Sequence, residues 1–449
     1  MAGTEDSPTG KHVAVFAFPF ATHALALLRL VRRIAEASPA TMFSFLSSEK
    51  SNLACFSGGR RDDGGTCPNL VAYDVWDGAP EGYVPSGRNP VEPVEIFLRA
   101  VPGNFESVLR AAERERGCNI TCLLTDAFYW FGADMARERS VPWVPVWTAG
   151  PSALIAHMET DSIRQIFGTS GKMLDAIPGL SAMRMTDVPK EILDATTPFP
   201  TMLYRMGQVL PQATAVVSNS FEDIDPIVEG ELHSKLRKFL DVGPFVLSPP
   251  PPLSDEHGCI PWLDKQETAS VVYVSFGSMI RPPPHEITAI VNALDKAASP
   301  FLWSFRGDAQ AELPREFLER RTRGKVVPWA PQLHVLGHRA VGAFVTHCGW
   351  NSVLESMIGG VPMVGRPFFG EQSMNARAVE DVWRIGVAVE GGAFTEEATA
   401  DALERVLAGE EGKRMRERAG ALKEMALKAV EPQGSSTRNF KALVEIVTG

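Results

Sequence analysis

No stretch of this 449-residue chain reaches the roughly 18 consecutive apolar residues that a membrane-spanning helix requires. Cysteine is sparse. The six thiols, Cys55, Cys67, Cys118, Cys122, Cys259 and Cys348, form no C-x-x-C pair, so neither a disulfide framework nor a zinc ribbon is expected, and reduced thiols in a cytoplasmic protein are. Basic blocks are missing too. The formal net charge is −10, which argues against a nucleic-acid footprint or a polybasic membrane anchor. The opening MAGTEDSPTGKH is polar and acidic, unlike the basic start of a secretory signal. No G-x-x-x-x-G-K-[ST] occurs, and no G-x-G-x-x-G follows a strand-like run. P-loop chemistry and dinucleotide redox chemistry are therefore not indicated.

What is present is a repeated alternation. Residues 13–18 are short, apolar and stopped by Pro19, as a buried strand would be. Residues 24–37 place Leu27, Leu28, Val31 and Ile34 on one helical face, with Arg29, Arg32 and Arg33 between them. Strand-like runs recur at 41–46, 121–125, 143–147 and 215–218. The second half repeats the style, with strands at 270–276, 300–304, 325–327, 342–346 and 362–365 and helices at 286–298, 332–336 and 351–358. Two further helices are expected at 412–430 and 435–447. Continuous apolar strands alternating with helices predict parallel sheets covered on both faces. Between the halves lies a run of four prolines, 249–252, which favours an extended connector. The expectation is an α/β chain of two doubly wound, Rossmann-like domains facing a central cleft, with 1–243 first, a Pro-rich linker at 244–258, and 259–430 second. Ligands of such sheets bind at the carboxyl ends of strands, so two facing edges suit a two-substrate enzyme.

The stretch THCGWNSVLES, residues 346–356, sits between the 342–346 strand and the 351–358 helix. Free N–H groups at a helix start, with the helix dipole, attract an anion. Gly349 lets the backbone approach a ligand closely, and His347, Asn351 and Ser352 add side-chain donors. A phosphate or diphosphate is the natural guest. The bland reading makes Asn351 and Ser352 helix caps and His347 a core histidine.

The surroundings of that stretch carry a resemblance. WAPQLHVLGHRAVGAFVTHCGWNSVLESMIGGVPMVGRPFFGEQ, 44 residues from Trp329 to Gln372, resembles the signature of plant secondary-product UDP-glycosyltransferases (glycosyltransferase family 1). AFPFATHALALL, TDAFYWFGADMA, PVWTAGPSAL, YRMGQVLPQATAV and EPQGSSTRNF extend the likeness over nearly the whole chain, nearest to the flavonoid and anthocyanidin 3-O-glucosyltransferases. The resemblance implies a GT-B fold, with an acceptor-binding first domain, a UDP-sugar-binding second domain, and a C-terminal helix, within 431–449, packing back on the first. It implies that Trp329 stacks on uracil, that the Ala330 backbone bonds the uracil edge, and that Gln332 and Glu355 bond the ribose. His347, Asn351, Ser352 and the Trp350 backbone would hold the diphosphate, with Ser278 adding a contact. Trp350, Glu371 and Gln372 would meet the sugar. Glu371 departs from the family, which usually has aspartate there.

His23 follows the first strand, where a helix start disfavours the imidazolium and suits a neutral base. Asp126 follows the 121–125 strand, at the same sheet edge, where a carboxylate can orient the imidazole. Spacing alone leaves a structural histidine open; the resemblance implies that the two are the catalytic dyad of an inverting transfer. It further implies that Thr148 assists sugar placement and that His157 contacts the acceptor. Phe20, Phe128, Trp147 and Phe369 are candidates for a flat apolar acceptor pocket. The expected reaction is glucose transfer from UDP-glucose, as co-substrate, to a flavonoid hydroxyl, most readily the 3-OH of a flavonol or anthocyanidin. Alternatives are another phenolic position or acceptor, C-glycosylation, or a non-catalytic UDP-sugar binder. No cofactor and no metal are expected, although His334, His338, His347 and Cys348 are types that bind zinc. The partners expected are a UDP-sugar and a small phenol, with no nucleic acid and no membrane, on a monomeric chain.

Overall fold

The structure is a computed structural model that describes residues 10–56, 67–84, 91–169, 172–194, 196–247, 255–278, 280–319 and 323–449. The proline run 249–252, and with it residues 248–254 of the expected linker, lies outside the described residues. The chain divides into two units.

The first unit holds a seven-stranded parallel sheet. Its strands are β1 (His12–Phe16), β2 (Met42–Ser48), β3 (Leu70–Val75), β4 (Cys122–Asp126), β5 (Trp143–Trp147), β6 (Val216–Ser218) and β7 (Phe239–Asp241). Their spatial order is β3-β2-β1-β4-β5-β6-β7. The order reverses between β1 and β4, which pair in register from Val13 with Cys122 to Phe16 with Thr125. Successive side chains of β1 point to opposite faces. Val13 and Val15 enter one core with Leu27, Leu28, Val31 and Ile34 of the helix His23–Ala37. Phe16 enters an aromatic cluster on the other face, its ring 4.8 Å from Phe105 and 6.4 Å from Tyr129. Each fully buried aliphatic side chain contributes about 1.5–3 kcal/mol. The C-terminal helix Ser435–Thr448 belongs to this unit. Leu443 and Val447 join the same core as Val13, Asn439 donates to the Asp241 carbonyl at 3.0 Å, and Arg33 lies 4.3 Å over the Phe440 ring.

The second unit holds a six-stranded parallel sheet of β8 (Val271–Ser275), β9 (Phe301–Ser304), β10 (Gly324–Val327), β11 (Val341–Thr346), β12 (Met363–Gly365) and β13 (Gly386–Ala388). The order is β10-β9-β8-β11-β12-β13, reversing between β8 and β11. Both sheets are thus doubly wound, and each has one switch point. Residues 166–189 cluster with the second unit, so the stretch read from sequence as one first domain is interrupted. Arg377 makes the tie: its Nε donates to the Ala182 carbonyl at 3.1 Å and lies 3.7 Å from the Asp187 carboxylate.

Candidate active site

At the switch point of the first sheet, β1 leads through Ala21, held at φ 52°, into the helix that begins at His23. Asp126 ends β4, the neighbouring strand. This places His23 Nδ1 2.7 Å from Asp126 Oδ2. Asp126 is buried, and its other oxygen accepts the Phe128 N–H at 3.0 Å. A carboxylate only accepts, so it holds the imidazole with hydrogen on Nδ1 and the lone pair on Nε2, the form a general base needs. Thr148, assigned by resemblance to sugar placement, follows β5, and its hydroxyl oxygen lies 3.2 Å from the same Nδ1.

Aromatic rings wall this pair. Phe128 is 4.6 Å and Phe18 5.4 Å from the His23 ring. Phe18 packs on Phe20, and Phe20 on the buried Phe97. Phe128 touches Trp147 and Phe199. Trp147 in turn meets His157 edge to face at 5.8 Å. Burial pushes His157 down to about 4, so it is a neutral ring at physiological pH, and its enclosed Nδ1 makes no hydrogen bond among the described residues. Phe18, Phe97 and Phe199 were not singled out from sequence; an aromatic beside Pro19 was the available signal for Phe18. Phe369 is exposed and belongs to the second unit.

In the second unit, the carboxyl ends of four strands bring the expected donor-site residues to one edge. The loop after β8 carries Gly277 and the exposed Ser278. Trp329 and Ala330 follow β10, and Gln332 begins the short helix Gln332–Leu336. His347 follows β11, and Trp350, Asn351, Ser352 and Glu355 lie on the helix Trp350–Gly359. Glu371 precedes the helix Gln372–Arg377, beyond β12.

Two glycines shape the slot around His347. A Cβ on Gly349 would stand 2.4 Å from His347 Nε2, and one on Gly277, at φ +71°, 3.0 Å from His347 Cε1. The imidazole therefore lies in a slot only glycines leave open. Burial pushes its pKa down to about 4, so His347 offers an N–H dipole and no charge. Its buried Nδ1 makes no hydrogen bond among the described residues, an orphan donor or acceptor that a phosphate oxygen or water would satisfy. Cys348 takes φ 61°, and its carbonyl accepts the buried Asn375 side chain at 3.0 Å, which fixes the turn. Burial also pushes the Cys348 thiol up to about 12. His334 is exposed, His338 lies 3.2 Å from the Asp264 carboxylate, and the described residues contain no group of three metal-ligating side chains.

Gln332 is already oriented. Tyr273 donates to its Oε1 at 3.1 Å, while its Nε2 donates to Ser352 Oγ at 3.1 Å and Glu355 Oε2 at 2.6 Å. A buried tyrosine hydroxyl needs a partner, and here that partner fixes which end of the amide faces Glu355. Tyr273 went unnoticed in sequence, although a tyrosine inside VVYVS was the signal. Tyr273→Phe is expected to weaken UDP affinity by about 1 kcal/mol, roughly five-fold, by releasing the amide. Titration calorimetry with UDP checks this; unchanged affinity would sink the orienting role. Gln372 is similarly set. Its Oε1 accepts the Phe368 and Phe369 N–H groups at 2.9 and 3.3 Å, so its NH2 end is the one left to meet a ligand.

Comparison with known proteins follows the same lines. Residues 251–422 match the family described as UDP-glucoronosyl and UDP-glucosyl transferase. The chain is 50% identical to a flavonoid 3-O-glucosyltransferase of Medicago truncatula, over 97% of each chain. It is 49% identical to an anthocyanidin 3-O-galactosyltransferase of Actinidia chinensis var. chinensis, over 98% of this chain and 97% of that one. Among solved structures it resembles a UDP-glucose: anthocyanidin 3-O-glucosyltransferase in complex with UDP, with a TM-score of 0.92 at 40% identity, covering 98% of this chain and 99% of that one.

Proposed function

Since the chain belongs to the UDP-glucuronosyl and UDP-glucosyl transferase family, we propose that it transfers glucose from UDP-glucose to the 3-hydroxyl of a flavonol or anthocyanidin, with inversion. The observation that carries this reading is the His23–Asp126 pair at 2.7 Å inside an aromatic wall. A phenol is flat, apolar and weakly acidic. Stacked rings recognise its faces, and a neutral imidazole accepts its proton.

In the proposed reaction His23 Nε2 takes the hydroxyl proton and Asp126 stabilises the resulting imidazolium. The phenolic oxygen bonds to the anomeric carbon as the bond from that carbon to the diphosphate oxygen breaks. UDP leaves, the α-linked donor becomes a β-glucoside, and His23 returns its proton to solvent. The second unit supplies the donor side of this reaction. Trp329 stacks on uracil, the Ala330 backbone bonds its edge, and Gln332 with Glu355 holds the ribose. The slot around His347, with Ser278, Asn351, Ser352 and the Trp350 N–H, takes the diphosphate. Trp350, Glu371 and Gln372 read the hexose, and Thr148 assists from beside the dyad. On the acceptor side, Phe20, Phe128, His157 and Phe369 are the residues assigned to the phenol.

The diphosphate charge is met by N–H groups and the helix dipole, so activity is expected to persist in EDTA. Loss on chelation would overturn that part of the reading. All six cysteines are free thiols, five of them buried, and no helix among the described residues is long and apolar enough to cross a membrane. The free thiols support a location in the reducing cytoplasm, and a monomer is part of the same proposal.

The test mixes the protein with UDP-glucose or UDP-galactose and a panel of flavonols, anthocyanidins, flavones and simple phenols. Mass spectrometry detects the hexose adduct, and NMR locates its linkage. A 3-O-β-glucoside is expected. The galactose arm matters because Glu371 reaches one methylene further than aspartate, and a relative of similar identity is a galactosyltransferase. A product at another hydroxyl would move the assignment to another acceptor geometry. Absence of any product across the panel would overturn it.

A further inference from the structure

Glu286 lies in the first turn of the helix Pro284–Ala297, 80 residues upstream of the segment that follows β12. Its side chain is 2% exposed, and burying a carboxylate is costly unless its oxygens are satisfied. They are satisfied by Arg366, the first residue after β12. Arg366 Nε donates to Oε2 at 2.9 Å and Nη2 to Oε1 at 2.5 Å, a two-pronged fork that fixes orientation as well as distance. Oε2 also accepts the Phe394 N–H at 3.1 Å.

Arg366 passes that orientation on. Its Nη1 donates to the Pro367 carbonyl at 2.7 Å, and its guanidinium lies 3.7 Å over the Phe368 ring. Phe368 packs edge to face on Phe276 at 6.0 Å, and Phe276 packs on Phe394 at 5.7 Å. The N–H groups of Phe368 and Phe369 are the donors that turn the Gln372 amide. A continuous set of contacts thus runs from the Glu286 carboxylate through Arg366 and Phe368 to Gln372. None of these contacts touches the Trp329, Gln332 and Glu355 region assigned to the nucleoside.

We propose that Glu286 is a positioning residue of the hexose subsite: through Arg366 it sets the 367–369 backbone, and thereby the direction in which Gln372 presents its NH2 group. This rests on the reading that Glu371 and Gln372 meet the sugar of a UDP-sugar donor. A purely structural ion pair would lower stability, and would affect UDP and UDP-hexose alike. A positioning role separates them, because UDP lacks the hexose.

The test uses Glu286→Gln, which keeps shape and removes charge, with Arg366→Lys, which keeps charge and removes the fork. Gln372→Ala serves as the reference. UDP affinity is measured by calorimetry, and kcat and KM with UDP-glucose and UDP-galactose. Both variants are expected to bind UDP like the wild type. Their kcat/KM with UDP-glucose should fall about 10- to 100-fold, the scale of a misplaced contact, and the preference between the two hexoses should shrink. If Glu286→Gln does not fold, Arg366→Lys decides. Parallel losses in UDP and UDP-glucose binding, or a lowered Tm with hexose preference intact, would overturn the proposal. If Gln372→Ala leaves hexose preference unchanged, the subsite reading fails and the proposal with it. If Gln372→Ala alters preference while the other two variants do not, the subsite stands and only the positioning role is lost.

Discussion

Replacing His23 with alanine is expected to lower turnover about 10²–10⁴-fold, the range that a positioned general base supplies, with UDP affinity nearly intact. The reason is local. A phenolic hydroxyl is a weak nucleophile until its proton has somewhere to go. His23 Nε2 carries the lone pair because Asp126 holds hydrogen on Nδ1 at 2.7 Å. Alanine leaves the aromatic wall of Phe18, Phe20 and Phe128 in place but removes the acceptor for the proton. The groups assigned to UDP lie in the second unit and do not depend on the imidazole. Single-turnover kinetics and UDP calorimetry on one preparation separate the two quantities. Near-normal turnover would show that another group takes the proton. A matching loss of UDP affinity would show that the variant is misfolded and not merely disarmed.

Much of this architecture was legible in the sequence because it rests on strong local patterns. β1, β4, β8 and β11 are central strands buried on both faces, so they read as unbroken apolar runs. The helix His23–Ala37 keeps its apolar residues on one face, as its periodicity indicated. The strands that escaped notice are at or near the sheet margins. β3 mixes Tyr73 and Asp74 with its aliphatics, while β7 and β13 are three residues long. The polar residues of β3 break its apolar run, and three residues are too few for β7 or β13 to display a period.

The candidate site divides the same way. Residues clustered within 346–356 announce a strand-to-helix turn, and the structure brings them together. His23 and Asp126 are 103 positions apart, and only the crossover order of the sheet makes them neighbours. Glu286, Arg366 and Tyr273 were missed for a different reason. Their work is to orient other side chains, and a hydrogen bond between distant residues leaves no spacing to read. Tyr273 is the partial exception, since a hydroxyl in a buried strand always raises the question of its partner.

Asp126→Asn is the sharper test of the dyad. The substitution is nearly isosteric, so packing is preserved, yet the two ends of the new amide are not equivalent. The Phe128 N–H, which donates to Asp126 Oδ1 at 3.0 Å, will hold the amide oxygen. The amide NH2 then faces His23 Nδ1 and donates to it. That forces the imidazole into the opposite tautomer, with hydrogen on Nε2, where it cannot accept the phenolic proton. Turnover is expected to fall about 10²–10⁴-fold, comparable with loss of the base itself. Asp126→Ala should cost less, because it leaves the imidazole free to take either tautomer. The double variant His23→Ala/Asp126→Asn should be no slower than His23→Ala alone, since Asp126 acts only through the ring that is gone. Measuring kcat for the two Asp126 variants, for His23→Ala and for the pair settles the question. If Asn is better tolerated than Ala, tautomer control is not what Asp126 contributes. If the two losses multiply in the double variant, Asp126 acts on the substrates by a route independent of His23.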